Sequence, residues 1–136
     1  MFRYFLGVSI VFLLFSCSSD SGTNPDGIQP TYSDISTQIF DKRCSCHLST
    51  PNSTPVVLAS DQAYANIVSQ PSTQKPQLLR INPGNPDLSY LYLKITKSTG
   101  DPDISGNRMP RNGPPYLSDE EIDVIRQWIA DGAKNN

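Results

Sequence analysis

Proline and glycine set the terms for this fold. The 136-residue chain carries 12 prolines and eight glycines, so long unbroken helices are ruled out over most of its length. Alternating strand patterns are scarce as well. What remains is one domain of short helices and turn-rich loops with a modest core. A small domain of this kind usually needs a staple, such as a disulfide, a metal or a cofactor. Only Cys44 and Cys46 follow Cys17. They stand two residues apart and cannot clip a long loop. A bound cofactor filling the core is therefore the attractive explanation.

The N-terminus reads as an export leader. Arg3 precedes an apolar run of 12 residues, Tyr4 to Phe15. A bilayer crossing needs roughly 20, whereas a secretory signal fits this length. Leu14-Phe15-Ser16-Cys17 resembles the cleavage box of bacterial lipoproteins. The resemblance implies cleavage before Cys17 and lipid on that residue, and several acyl chains hold a protein firmly to a membrane. The expected organisation is a signal peptide over 1–16, a flexible tether over 17–31 and a folded domain over 32–136. The expected location is the cell envelope, lipid-anchored and facing the periplasm or the exterior. Cleavage removes Arg3 alone among charged residues. Ten basic and 13 acidic side chains remain, for a formal charge of −3. Nucleic-acid binding calls for a basic face, so that class of partner is excluded.

Four helices are expected in the domain, which makes its class all-α. The first runs from Asp34 to about Lys42, with Ser33 as N-cap and Ile35, Ile39 and Phe40 facing inward. The second runs from Asp61 to Ser69 behind Ser60, with Ala63, Ile67 and Tyr64 inward. Leu78 to Ile81 reads as extended, and Pro83-Gly84-Asn85-Pro86 as a turn. A third helix spans Leu88 to about Lys97, using Leu88, Leu91, Tyr92 and Ile95. Ser98 to Pro115 is a long loop of the kind that is usually functional or disordered. The last helix is the clearest. Ser118 and Glu121 form a capping box, and Ile122, Ile125, Trp128 and Ile129 make an apolar stripe. Gly132 is placed to end it.

The chemistry concentrates in four residues. His47 is the single histidine, and Met109 the single methionine beyond Met1. His47 directly follows Cys46. A c-type haem is held by cysteine thioethers and by an adjacent histidine, in the pattern Cys-x-x-Cys-His. Cysteines three apart on a helical turn share a face, so both sulfurs reach one porphyrin edge. A methionine thioether opposite the histidine completes the iron's coordination and raises its potential.

The chain resembles the small single-haem domains of the cytochrome c superfamily found in bacterial exported proteins. The matching stretches are IFDKRCSCH (39–47), LASDQAYANIVS (58–69), RINPGNPDLSYLYLKI (80–95), GNRMP (106–110) and YLSDEEIDVIRQWIADGA (116–133). The resemblance implies short helices wrapped around one haem c, with His47 and Met109 as iron ligands. It also implies that the terminal helix packs Trp128 into the core against the first helix. The implied activity is electron transfer with redox protein partners rather than enzymatic catalysis.

The motif departs from the family in one way. Here it is Cys44-x-Cys46-His47, one residue short. Cys46 matches the second cysteine, Arg43 stands at the place of the first, and Cys44 is displaced by one. On a helical turn, residues two apart point about 200° apart. Cys46 is therefore expected to make the surer bond, with one or two thioethers both open unless the turn is remodelled. Buried thiols or a strained local disulfide are the bland alternatives.

A copper-handling lipoprotein is the competing reading. Cys44, Cys46, His47 and Met109 form a soft ligand set that suits Cu(I). A haem enzyme needs an open iron position, which a Met109 ligand closes. Arg80, Arg108 and Arg111 suit the haem propionates, because guanidinium groups pair with carboxylates. They serve equally as solvated surface charge. Asp101-x-Asp103-x-Ser105-Gly106 resembles the start of a calcium loop, but its twelfth position is Asn112 rather than glutamate.

Overall fold

A computed structural model describes residues 27–49 and 56–136. The expected signal peptide, Cys17 and most of the tether lie outside the described residues. Among the described residues the architecture is helical, with 3-10 turns and no strand, as the all-α expectation requires. No described helix is long and apolar enough to cross a membrane.

Helix α1 passes through three stretches: α-helical Tyr32–Asp34, π-helical Ile35–Phe40 and α-helical Asp41–Arg43. Its cap is Thr31, not Ser33. Thr31 Oγ1 accepts from the Asp34 amide at 3.2 Å. Ser33 already lies inside the helix, where its carbonyl accepts from Ser36 and Thr37 hydroxyls. The earlier start has a tertiary cause. The Tyr32 amide donates to Asn136 Oδ1 at 3.1 Å, and the Ser33 amide donates to the Asn136 carbonyl at 3.0 Å. First-turn amides lack helical partners, and the C-terminal residue supplies two.

The chain leaves α1 at Cys44 and forms a 3-10 turn over Ser45–His47. Helix α2, Ala63–Ile67, is shorter than its apolar pattern predicts. Its end is pulled into pairing. Val68 bridges Ile81, and the Ser69 amide donates to the Ile81 carbonyl at 2.9 Å. This pairing uses the extended 78–81 segment expected from sequence. Ala63 and Ile67 are buried as their spacing implies.

Pro86 starts a 3-10 turn, Pro86–Leu88, so helix α3 begins only at Tyr90 and runs to Thr96. That delay corrects one expected core residue: Leu88 is 51% exposed. Ser89 takes over the inner position. Its buried hydroxyl accepts from the Asn82 amide at 2.8 Å and donates to the Asn85 carbonyl at 2.9 Å, which ties off the 82–89 turn.

Helix α4, Asp119–Ala130, has the expected reciprocal capping box between Ser118 and Glu121. Gly132 follows at φ +95°, a left-handed conformation that glycine adopts without a Cβ penalty. Helix α4 packs on α3 and on the π-helical stretch of α1, as the resemblance implied. Ile35, Ile39, Phe40, Ile67, Ile125 and Trp128 share one core. Trp128 also donates from Nε1 to the Lys134 carbonyl at 2.8 Å.

Candidate cofactor site

A cavity of about 830 Å³ opens between the end of α1, α3 and α4. All four residues singled out in the domain, Cys44, Cys46, His47 and Met109, lie on its wall. His47 and Met109 are far apart in sequence, and two different devices bring them to one space.

His47 is held by the segment that follows it. Its carbonyl accepts from the Leu58 amide at 2.7 Å, and its Nδ1 lies 3.1 Å from the Val56 carbonyl. A carbonyl can only accept, so Nδ1 is the donor in this contact, and the neutral ring then has its lone pair on Nε2. Metal-bound histidines are oriented by such a second hydrogen bond. Sequence inspection missed Val56, because a backbone acceptor leaves no mark in residue identity.

Met109 is held by α3. Its amide donates to the Lys94 carbonyl at 2.8 Å. The Lys94 side chain, itself buried, donates from Nζ to the Ser105 carbonyl at 2.8 Å and to the Asn107 carbonyl. Burial lowers the pKa of this lysine, while the two carbonyls receive its hydrogens. Arg108 Nε donates to the Ile95 carbonyl at 2.8 Å, and its guanidinium sits 4.4 Å above the centre of the Tyr116 ring. Such stacking is a cation–π contact. The long 98–115 loop is thus stapled from both sides of Met109. At Gly113, a Cβ would lie 2.5 Å from a Tyr116 ring carbon, so only glycine allows that ring its position.

The cations sort differently from expectation. Arg80 and Arg111 line the cavity, whereas Arg108 is spent on the loop. Arg43 and Lys94 join them on the wall, and no acidic side chain does so among the described residues. The Asp101 and Asp103 carboxylates lie 3.9 and 3.1 Å from the Lys97 ammonium. A side-chain cation therefore stands beside the calcium-like segment.

The two cysteines differ. Cys46 is exposed, while Cys44 packs against the core. Burial, aided by the Glu121 carboxylate, pushes the Cys44 thiol up from 9.0 to about 12. Thiolate is the reactive form. In the cofactor-free protein at neutral pH, iodoacetamide should therefore modify Cys46 first. Cys44, buried and with its thiol pushed up, should react more slowly. Mass spectrometry of timed digests measures both rates, and equal rates would contradict this environment. Among the described residues, no three His, Cys, Asp or Glu side chains form a group that could hold a metal ion. No protein-family model matches the chain, and no curated protein or solved structure is significantly similar to it.

Proposed function

We propose that the mature chain is a single-haem c-type cytochrome that carries electrons, tethered to an envelope membrane by lipid on Cys17. One observation carries most of the weight: a single cavity has Cys44, Cys46, His47 and Met109 on its wall. Its volume falls within the range of roughly 300–1,000 Å³ usual for ligand pockets. Apolar residues such as Phe40, Leu58, Ile95 and Ile125 suit a porphyrin face. The charged lining residues, Arg43, Arg80, Lys94 and Arg111, are all cations. They suit the paired carboxylates of a haem in a protein whose overall charge is negative.

When bound, haem supplies one-electron iron chemistry whose potential follows axial ligation and burial. The protein's own residues do the rest. His47 offers Nε2 in a fixed tautomer. The Met109 thioether faces the same space on a loop pinned by Lys94 and Arg108. Thiols at positions 44 and 46 supply covalent attachment. His47 and Met109 would hold the iron between them, which would suit electron transfer rather than catalysis. Redox proteins would dock at the cavity mouth, in the small transient contacts usual for such partners. On this reading the all-α fold would be a cytochrome c-like one, with short helices and long loops wrapped around one haem.

Protein matured with haem-attachment machinery should be red, with an alpha band on reduction. Met109→Ala should open the sixth iron position and lower the potential on the order of 0.1 V, within the ~0.8 V span that axial ligation covers. Spectroelectrochemistry measures both effects. An unchanged potential and spectrum would remove Met109 as ligand. A colourless protein holding copper would replace the haem reading with the copper one.

A further inference from the structure

The one-residue contraction of the haem motif has a structural counterpart in α1. An unbroken α-helix turns about 100° per residue. From buried Ile35 and Ile39, such a helix would keep positions 42 and 43 on its inner face and turn position 44 away. The observed helix does otherwise. It is π-helical over Ile35–Phe40, and the Asp41 amide bonds the Ser36 carbonyl, five residues back rather than four. A π turn takes up one extra residue. Its signature here is that Ile39 and Phe40, adjacent in sequence, are 0% and 1% exposed.

Beyond Phe40 the ordinary step resumes, with the Cys44 amide donating to the Phe40 carbonyl at 2.9 Å. Cys44 thus follows Phe40 onto the inner face, in the angular place that a regular helix gives to position 43. Arg43 takes the preceding inner place and also lines the cavity, with its guanidinium engaged by α4 and the segment before it. Its Nη2 donates to the Tyr116 carbonyl at 2.8 Å, and its Nε lies 3.8 Å from Glu121. At Cys44 the backbone leaves the helix, with φ −118° and ψ 33°. The 3-10 turn over Ser45–His47 has a three-residue period, so the α-helical phase between Cys44 and Cys46 no longer applies. Both cysteines line the cavity.

Building on the haem reading, we propose that the π turn compensates for the missing motif residue, so that Cys44 and Cys46 both form thioethers to one vinyl-bearing porphyrin. Each bond is a redox-neutral addition. The thiol S–H bond and the vinyl π bond break, sulfur bonds to one vinyl carbon, and the hydrogen ends on the other. Cys44 packs against the core in the folded chain, so its addition precedes closure of the cavity.

The full chain, matured with haem-attachment machinery, tests this by its pyridine haemochrome spectrum, which reports how many vinyl groups have been saturated. The wild type should read two. Cys44→Ser should read one. Deleting Thr37, an exposed residue of the π stretch, should also read one although both cysteines remain. If that deletion does not yield folded protein, the Cys44→Ser comparison still decides whether both cysteines are attached. A haem-loaded wild type that reads one, and is unchanged by Cys44→Ser, overturns the proposal while leaving the cytochrome intact. Two saturated vinyls in the Thr37 deletion would strip the π turn of its role. A wild type without haem overturns both.

Discussion

On the proposed haem reading, alanine at position 47 is expected to abolish the low-spin haem spectrum of the matured protein and to cut its haem content by more than about tenfold. His47 is the one imidazole in the chain, and its ring is aimed by the Val56 carbonyl. Losing a mere orienting partner of a metal ligand typically costs about 10–100-fold in affinity or activity. Losing the ligand itself should cost at least as much. Haem content per protein, from absorbance and total protein, measures the effect. A His47→Ala protein with wild-type colour and content would mean that the iron is held elsewhere.

The second large effect is on stability. Trp128→Ala is expected to lower the unfolding free energy by about 3–5 kcal/mol. Trp128 is 1% exposed, and its ring lies 6.1 Å from that of Tyr32. Through this contact α4 is joined to the start of α1. Domains of this size are stable by only about 5–15 kcal/mol in total, so the variant should sit near the threshold of folding. A denaturant midpoint that falls sharply with an unchanged slope identifies a loss of stability in the native state. A midpoint equal to the wild type would mean that α4 does not close the core.

Local chemistry made some of this legible before any coordinates. The α4 capping box, its apolar stripe and Gly132 are all written in neighbouring residues, and the structure has each of them. Met109 stood out because it lies in a polar loop with no apolar helix face to join, and it does line the cavity.

Features set by distant parts of the chain were hidden. Thr31 replaces Ser33 as cap because Asn136 reaches back to the first turn of α1. Leu88 faces outward because Pro86 spends three residues on a 3-10 turn, shifting the phase of α3. No sequence motif marks Lys94, yet its ammonium organises the loop that carries Met109. The π turn had one sequence trace, the adjacent apolar pair Ile39 and Phe40. Helical periodicity alone treats such a pair as a widened face rather than a change of register.

The expectation that Cys44 and Cys46 diverge assumed a single regular turn through both. Cys44 instead marks the break between two kinds of helix, and both thiols reach the same cavity. Residue spacing fixes angles only while the backbone keeps its period.

Intact mass spectrometry of the signal-processed protein, purified from a host equipped to attach haem, bears most directly on the central claim. The expected result is a single species heavier than the polypeptide and its lipid by the mass of one haem, and red in solution. A colourless species at the mass of the lipidated polypeptide alone would contradict it.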